Sequence, residues 1–489
     1  MHPVKQTIDP IDSAKLGATS APLRAIADLG GPATVPFFGN MLQVDRNRVH
    51  QDIEALCKVH GRFFKLNFAG RTLLVVADHE ASARILKDRP AGFQRSSQLN
   101  VAASSMGMDL GLFSAEGDAW SKQRRMVMAS FAPQRIRAYF PAMLAVVTRL
   151  EKRWHKAATQ GVSIDLQADL MRYTIDTITG LAFGHNVNSL EADGDVIQRH
   201  LDEIFPALFG RLFSILPYWK LIKLPSDRRA ERSVAEVNKA IDQFIVNARK
   251  RIAQDPTRRD NPTDLLEAFV VAAESEGEQL TDADVKGNVL TMLLAGEDTT
   301  ANTLAWLIYL LKQNPQTLAK AREEVMRVVP GGLADFTTES MAELDYLEAC
   351  AQEAMRLKPV APFLPVEAKK DTIVGDIAVP AGTLVWNVLR HDSMSDKHVS
   401  DPDAFKPERW LIENNGLKHL STPFGSGPRV CPGRYLALLE IKMAMAMLLH
   451  SFEIDSVDTP DGQPARELMA FTMGPVGLTM RLRAAQAAN

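Results

Sequence analysis

The sequence predicts a mainly α protein with a small β region. Five stretches carry apolar residues at helical spacing: 163–184, 229–253, 282–312, 316–329 and 433–450. Strand-like patterns are confined to two stretches, 62–78 and 372–389, each interrupted by Gly or Pro. The chain shows no internal repeat, so the helices belong to an ordinary globular fold rather than to a solenoid.

The individual elements follow from local signals along the chain. RFFKLNFAGRTLLVVAD (62–78) predicts a hairpin that turns at Ala69 and Gly70. The polar, charged segment 253–264 predicts a surface loop between two helices. Residues 390–430 hold several Pro and Gly residues and little periodicity, so we expect a long irregular segment there. Structureless segments of that length are usually functional or disordered.

Composition and charge exclude several classes of function. The chain has 489 residues, 46% hydrophobic and 24% charged, with a formal net charge of −3, which gives no electrostatic reason to expect nucleic acid as a partner. The N-terminal residues lack the apolar core of a signal peptide, and no uncharged apolar stretch reaches the ~18 residues that span a bilayer. Three cysteines without CxxC spacing argue against a disulfide framework and a zinc site. We expect a cytoplasmic monomer with no transmembrane segment.

The segment FGSGPRVCPGRYLALLE (424–440) places a cysteine behind two glycines and an arginine, before an apolar helix. Thiolate is the ligand form of cysteine, and free amides at a helix start stabilise its negative charge. The glycines permit close approach of a flat group, and Arg429 can pair with a carboxylate. The alternative is a structural cysteine buried at a loop–helix junction. We expect Glu440 and Lys442 to point away from the apolar face of the helix.

AGEDTT (295–300) lies inside the longest helical pattern. A mid-helix glycine costs ~1 kcal/mol relative to alanine, so Gly296 needs a reason. Beside hydroxyl residues, a glycine can loosen the backbone ladder and open a local groove. The alternative is an ordinary helix with exposed Glu297 and Asp298 and threonines bonded to the backbone.

Two weaker motifs accompany these segments. Glu353 and Arg356, in EAMR, share a helix face and can pair. Trp120 and Arg124, in WSKQR, also share a face, and both side chains are donors suited to a carboxylate. Taken alone, the first is compatible with a surface ion pair and the second with a packed Trp beside a solvated Arg.

These four motifs, in their order along the chain (WSKQR, AGEDTT, EAMR and FGSGPRVCPG), resemble the cytochrome P450 family of haem-thiolate monooxygenases, in its soluble bacterial-type form. The resemblance implies a single domain of the cytochrome P450 fold around a buried haem b, over residues 31–489, after an N-terminal extension over 1–30. It overrules the estimate of about three domains that length alone suggests. Cys431 is then the axial metal ligand. The implied cofactor contacts are Trp120, Arg124, Phe424, Arg429, Cys431 and Gly433.

The resemblance also implies residue roles and one departure. Asp298 resembles the acid that relays protons, and Thr299 the threonine that supports bound oxygen. Glu353, Arg356 and Arg409, from PERW, imply a buried network that pins the irregular segment beneath the haem. After RLKPVAPFLP, however, Val366 and Glu367 stand where relatives often carry an arginine that binds a haem propionate.

The implied reaction inserts one oxygen atom from O₂ into an apolar organic substrate by hydroxylation or epoxidation. The implied substrate pocket contains Phe113, Phe209, Met292, Ala295, Val360, Phe363 and Phe471. Neighbouring candidates are Met106, Leu110, Leu208, Leu212, Phe213, Val289, Leu364 and Met473. We expect about half of these residues to be plain core, with Arg95 and Arg211 at the pocket mouth in water. The apolar stretch 205–219 predicts a lid, a channel rim or a weak membrane contact.

Electrons are expected from a separate ferredoxin or flavodoxin-type donor, because the residues after the Cys431 helix are too few for a flavin or iron–sulfur module. The expected docking face is basic, with Lys122, Arg125, Arg434 and Lys442. Two alternatives remain: a haem-thiolate peroxygenase or isomerase, and a non-enzymatic haem gas sensor. The retained Asp298–Thr299 pair favours the monooxygenase.

Overall fold

The computed structural model describes residues 22–68, 70–183, 188–191, 196–214, 216–274, 280–413 and 416–485. The helices in these ranges are α1 Val49–His60, α2 His79–Lys87, α3 Ser97–Ser105, α4 Gly111–Ser114, α5 Gly117–Ser130, α6 Pro133–Gln160, α7 Leu166–Phe183, α8 Val196–Leu212, α9 Pro225–Gln254, α10 Leu265–Glu274, α11 Asp282–Gln313, α12 Pro315–Val328, α13 Thr338–Ala342, α14 Asp345–Leu357, α15 Leu417–Leu420 and α16 Arg434–Ser451. The mainly α prediction is confirmed, and each of the five predicted helical stretches coincides with a helix.

The strands form small sheets at the edge of the helical body. They are β1 Arg24–Ala25, β2 Phe63–Phe68, β3 Arg71–Val76, β4 Phe93–Arg95, β5 Ile164–Asp165, β6 Phe363–Ala368, β7 Thr372–Val374, β8 Ile377–Val379, β9 Leu384–Val388, β10 Phe452–Asp458, β11 Glu467–Ala470, β12 Thr472–Pro475 and β13 Thr479–Ala484. The largest sheet has the order β2-β3-β9-β6-β4. The predicted hairpin is its β2–β3 pair, with Phe63 opposite Val76; of its predicted turn residues, Ala69 lies outside the described residues.

Helix ends follow capping rules. At the start of α11, the hydroxyl of Thr281 accepts from the amide of Asp284 at 3.2 Å, and the Asp284 carboxylate accepts from the amide of Thr281 at 2.7 Å. Helix α6 begins with Pro133 in its first turn and ends at Gly161, whose φ of 63° is left-handed. These signals fix the long helices that carry the interior.

Helices α11 and α16 are enclosed rather than amphipathic. Leu304, Ala305, Trp306 and Leu307 follow one another along α11, and each is 0% exposed. Likewise every residue from Leu439 to Leu449 in α16 is buried. A helix that is apolar all round is typical of the centre of a large fold, so these two helices form the middle of the core.

The predicted N-terminal extension, residues 1–30, is only partly covered by the described residues. Residues 1–21 of the predicted N-terminal extension lie outside the described residues. Within its last part, Arg24 and Ala25 pair in parallel with Ile377 and Ala378 of β8. The division at residue 30 stays a prediction. None of the helices in the described ranges is long and apolar enough to cross a bilayer.

Candidate active site

A large interior cavity of about 1460 Å³ lies between α11 and the loop that precedes α16. Its lining includes Ala295 and Thr299 from α11 and Phe424 and Cys431 from the loop. Ala295 is exposed although it lies in the middle of a buried helix, because its side chain opens into this space. The cavity therefore brings together the two motifs that the sequence singled out most clearly.

Cys431 lies on the cavity wall at the start of α16. Its thiol is accessible from the cavity. Burial within the protein raises the pKa of the Cys431 thiol, while the backbone amides of Gly433 and Arg434 and the charge of Arg124 oppose that rise. The last three groups favour a thiolate, which is the form that binds a metal.

The glycines of the cysteine loop hold a tight turn. Gly425 and Gly427 both have φ of 71°, a left-handed conformation that favours glycine. A Cβ atom on Gly427 would lie 2.5 Å from the carbonyl oxygen of Leu86, so α2 packs directly against this turn. The backbone amide of Cys431 then donates to the carbonyl of Phe424 at 2.9 Å, which closes the loop around the thiol.

On α11, the structure gives Gly296 a different reason from the predicted groove. A Cβ atom there would lie 3.1 Å from Cγ1 of Ile178, so the close approach of α7 favours a glycine. The α-helix is continuous through this position. Thr299 Oγ1 donates to the carbonyl of Ala295 at 2.7 Å and lies on the cavity wall.

Asp298 is turned from the cavity towards β12. Its carboxylate accepts from Asn302 Nδ2 at 2.7 Å and from the hydroxyl of Thr472. Burial raises the pKa of Asp298, and these two hydrogen bonds only partly oppose the rise. Thr472 itself lines the cavity. Thr472, which no sequence motif singled out, therefore joins the acid to the cavity.

Four arginines line the cavity near the cysteine loop. They are Arg89, Arg95, Arg124 and Arg429. Burial lowers the pKa of each one, and that of Arg89 falls to about 10. The carboxylate that faces this group is Glu116, which pairs with Arg429 at 2.7 Å. The cluster therefore carries more positive than negative charge inside the protein, where unpaired charge is costly.

Hydrogen bonding within the cluster is incomplete. Arg89 is 3% exposed, and its Nε and Nη2 atoms have no hydrogen-bond partner among the described residues. Arg124 donates to the carbonyl of Val430 at 2.8 Å, and the Arg429 guanidinium lies 5.0 Å from the ring centroid of Trp120. An anionic group with two carboxylates would complement both the surplus charge and the unpartnered donors.

Arg95 and Arg211 were predicted to lie in water at the pocket mouth, and that prediction is wrong. Arg95 packs its guanidinium 3.8 Å from the ring centroid of Phe113 and stands opposite Val366 across the β4–β6 pair. Arg211 is 4% exposed, because Asp227 and Glu231 both accept from it at 3.2 Å. Pairing of this kind is what allows an arginine to be buried.

The EAMR and PERW residues meet in a buried network. Arg356 donates twice to the Glu353 carboxylate, each time at 2.8 Å, and both side chains are 0% exposed. Arg409 reaches the same carboxylate at 3.3 Å, and the indole nitrogen of Trp410 donates to it at 2.9 Å. Sequence reasoning singled out Arg409 of PERW but not Trp410, and so missed this hydrogen bond.

The same network holds the irregular segment. Arg356 also donates to the carbonyl of Ser393 at 2.8 Å, and Glu353 accepts from the amide of Lys406 at 3.1 Å. The segment contains short 3₁₀ turns, among them Asp392–Met394 and Pro407–Leu411, and the helix α15. Arg356 and Glu353 thus fix two separate points of a stretch that has little regular structure of its own.

The predicted pocket residues fall into two groups. All seven principal candidates line the cavity: Phe113, Phe209, Met292, Ala295, Val360, Phe363 and Phe471. Met106, Val289 and Met473 are buried but do not line it. Contact of the lining residues with a substrate stays a prediction.

The expectation that Glu440 and Lys442 point away from the core is wrong. Glu440 is 3% exposed and lines the cavity, and burial raises its pKa to about 8. Lys442 is 7% exposed and pairs with Glu348 at 2.6 Å. Lys442 is therefore removed from the predicted basic face, whereas Lys122, Arg125 and Arg434 keep at least part of their surface accessible.

Comparison with known proteins connects this arrangement to a family. The family model described as Cytochrome P450 matches residues 29–481. A self-sufficient cytochrome P450 monooxygenase of Aspergillus niger is 32% identical over 481 residues, which cover 94% of this chain and 43% of that protein. One from Oidiodendron maius is 30% identical over 451 residues, covering 89% of this chain and 40% of that protein. The chain thus spans less than half the length of these relatives.

Other relatives match over more of their length. A chloroplastic cytochrome P450 of Glycine max is 28% identical over 456 residues, which cover 82% of this chain and 77% of that protein. The crystal structure of the haem domain of cytochrome P450DA superposes with a TM-score of 0.81 at 26% identity, over 96% of this chain and 98% of that domain.

Proposed function

Because the chain belongs to the cytochrome P450 family, whose members bind haem through a cysteine thiolate, we propose that it is a monooxygenase that transfers one oxygen atom from O₂ to an apolar organic substrate. Haem b is the proposed cofactor, and the thiolate of Cys431 would hold its iron. The observation that carries the proposal is the cavity wall that combines the Cys431 thiol with an uncompensated arginine cluster. A porphyrin with two propionates matches both features.

When bound, the haem supplies the redox chemistry that activates dioxygen. The residues of the chain hold the cofactor in position and deliver protons to the reaction centre. We assign the binding of the propionates to Arg89, Arg95, Arg124 and Arg429. Arg95 is proposed to bind the propionate that in many relatives is bound by an arginine at the position of Val366. Arg95 and Val366 stand opposite each other in the neighbouring strands β4 and β6.

Asp298, Thr299 and Thr472 are assigned to proton delivery. Thr299 Oγ1 lies on the cavity wall, where its hydroxyl donates to the carbonyl of Ala295 and would have to rotate from that bond to donate to the reaction centre. Asp298 holds a proton more readily than an exposed carboxylate, because burial raises its pKa. The Thr472 hydroxyl bridges between that carboxylate and the cavity. Together they offer an acid and a hydroxyl to the reaction centre, the pair that such a reaction needs.

The substrate is proposed to be apolar and at least medium-sized. The cavity wall is rich in Phe, Leu and Met residues, among them Phe209, Met292 and Phe471, and such walls adapt to apolar ligands. Terpenoids, steroids and fatty acids are expected to shift the haem absorption band on titration. Binding of small polar anions alone, without response to any apolar ligand, would contradict this assignment.

The electron donor is proposed to be a separate ferredoxin or flavodoxin-type protein that docks beside the cysteine loop. Lys122, Arg125 and Arg434 give that face cationic groups, which steer an acidic donor at low salt. Several relatives are described as self-sufficient or as fusions with a reductase. Turnover of the purified 489-residue chain with NADPH alone would refute a separate donor.

The proposed cofactor ligation is tested with Cys431→Ser. The variant is expected to lose the thiolate-type absorption band of the ferrous carbonyl form, while Cys57→Ala, a buried thiol of α1 outside the cavity lining, keeps it. Retention of that band in Cys431→Ser would refute the assignment. Product formation that needs both O₂ and reductant, rather than peroxide alone, separates the monooxygenase from a peroxygenase.

A further inference from the structure

A cluster of histidines surrounds the buried aspartate Asp392 at the start of α2. His79 Nδ1 lies 2.7 Å from Asp392 Oδ2, and His398 Nε2 lies 3.9 Å from the same oxygen. The two imidazoles face each other edge to face, with ring centroids 5.0 Å apart. One ligand atom from each of these three residues lies within 4.8 Å of the other two.

The distances between these three ligand atoms are suited to a small cation. A tetrahedral zinc ion with bonds of about 2.0–2.2 Å holds its ligand atoms about 3.3–3.6 Å apart. His79 would have to move away from the Asp392 oxygen, and His398 towards it, by roughly half an ångström each to reach that spacing. His79 and His398 both keep part of their side chains exposed, at 24% and 30%, so such rearrangement is open to them.

A second, independent feature points to a ligand at the same place. A small cavity of about 20 Å³ adjoins the cluster on its His79 and Asp392 side; Ser82 and His419 also line it, whereas His398 does not. Ser82 is 5% exposed, and its hydroxyl has no hydrogen-bond partner among the described residues. About 10–15 Å³ is enough for one water, so the space admits a metal-bound water that would satisfy Ser82.

We propose that His79, Asp392 and His398 bind a divalent transition-metal ion of the zinc class, with a water as the fourth ligand. Two imidazoles and one carboxylate form a donor set that zinc takes readily. His391 Nδ1 lies 2.9 Å from the other carboxylate oxygen of Asp392 and would orient that ligand. The site uses none of the three cysteines, which is why cysteine spacing could not reveal it.

The ion would connect two parts of the fold that support the cysteine loop. His79 begins α2, and Leu86 near the end of that helix packs against the Gly427 turn. Asp392 precedes Ser393, whose carbonyl accepts from Arg356 in the buried network. Metal binding therefore clamps α2 to the irregular segment and stabilises the turn before Cys431. The proposal concerns stability and does not depend on the proposed reaction.

The test uses the haem-loaded, 489-residue protein, freed of non-haem metal with a chelator and titrated with ZnCl₂ alone. The wild type is expected to bind one added zinc per chain and to gain thermal stability as it does so. His398→Ala, which removes a ligand that makes no hydrogen bond within the described cluster, is expected to bind zinc at least about tenfold more weakly and to lose the thermal shift. His398→Gln gives a second variant of similar size should the alanine variant misfold.

His419→Ala is the matched control, since His419 is an exposed neighbour whose ring nitrogens lie outside the ligand group. It is expected to bind zinc like the wild type. Equal zinc affinity in the wild type and in both His398 variants would overturn the proposal, as would an equal loss in His419→Ala. Either result would leave the cluster as a hydrogen-bonded polar network only.

Discussion

Replacing Trp410 by Phe tests how the irregular segment is held. The substitution keeps an aromatic ring but removes the indole N–H that donates to Glu353 at 2.9 Å. Because Glu353 is a fully buried carboxylate, the lost bond is a hydrogen bond to a charged group, worth about 1.5–3 kcal/mol. Arg356 and Arg409 still pair with Glu353, so the larger cost of about 3–5 kcal/mol for stranding a buried charge is avoided. We therefore expect Trp410→Phe to lower the free energy of unfolding by about 1.5–3 kcal/mol.

The measurement is urea unfolding of the haem-loaded protein, followed in parallel by far-ultraviolet circular dichroism and by the haem band, since coincident transitions justify a single free energy. Trp219→Phe is the control. Trp219 is 6% exposed, and its indole nitrogen has no hydrogen-bond partner in the described part of the chain. That variant removes the same indole N–H and ring atoms without losing a hydrogen bond. If the two variants unfold within about 0.5 kcal/mol of each other, the Trp410–Glu353 bond contributes nothing and the reasoning fails.

Three further predictions follow from the cavity. Thr299→Ala is expected to divert reducing equivalents to peroxide and Asp298→Asn to slow turnover; unchanged product per NADPH and unchanged rate in both would remove the pair from proton delivery. Arg95→Leu is expected to speed haem transfer to apomyoglobin by about tenfold or more, because a charged donor to a propionate is lost. Arg95→Lys is expected to give an intermediate rate. Equal transfer rates in the wild type and both variants would show that Arg95 only packs against its neighbours. Glu440 has a folded-state pKa of about 8, above its unfolded value near 4.3, so its protonated form favours folding at low pH and this contribution is lost as the pH rises from about 4.3 to 8. Glu440→Gln is therefore expected to flatten the fall in stability over that window, and an unaltered pH profile would show that Glu440 does not titrate there.

The long helices were predictable because their signals are local. Thr281 and Asp284 at the start of α11, and Pro133 at the start of α6, are visible in the sequence without any knowledge of tertiary structure. The pairing of Arg356 with Glu353 is likewise a neighbour relationship on one helix. Motif order then linked these pieces to one family.

The predictions that were wrong concern residues whose partners are distant in the sequence. Arg211 was placed in water because Asp227 and Glu231 reach it only when α8 and α9 pack together. Lys442 was placed outside because amphipathic reasoning fails for a helix that is enclosed on every side, and its partner Glu348 belongs to another helix. The unpartnered donors of Arg89 and the bridging hydroxyl of Thr472 leave no pattern in the sequence at all.

The burial of the central part of α11 also determines which residues can vary as such an enzyme acquires new substrates. From Leu304 to Leu307 no side chain can change size without disturbing a close-packed neighbour, so inherited variation there is expected to be purged. Residues on the cavity wall border the proposed ligand-binding space instead, and at Ala295, Val360 or Phe471 a change of size alters the shape offered to a ligand with less effect on core packing. New substrate ranges are therefore expected to arise through changes at the cavity wall, including Ala295 of α11, while the enclosed stretch of α11 from Leu304 to Leu307 changes little.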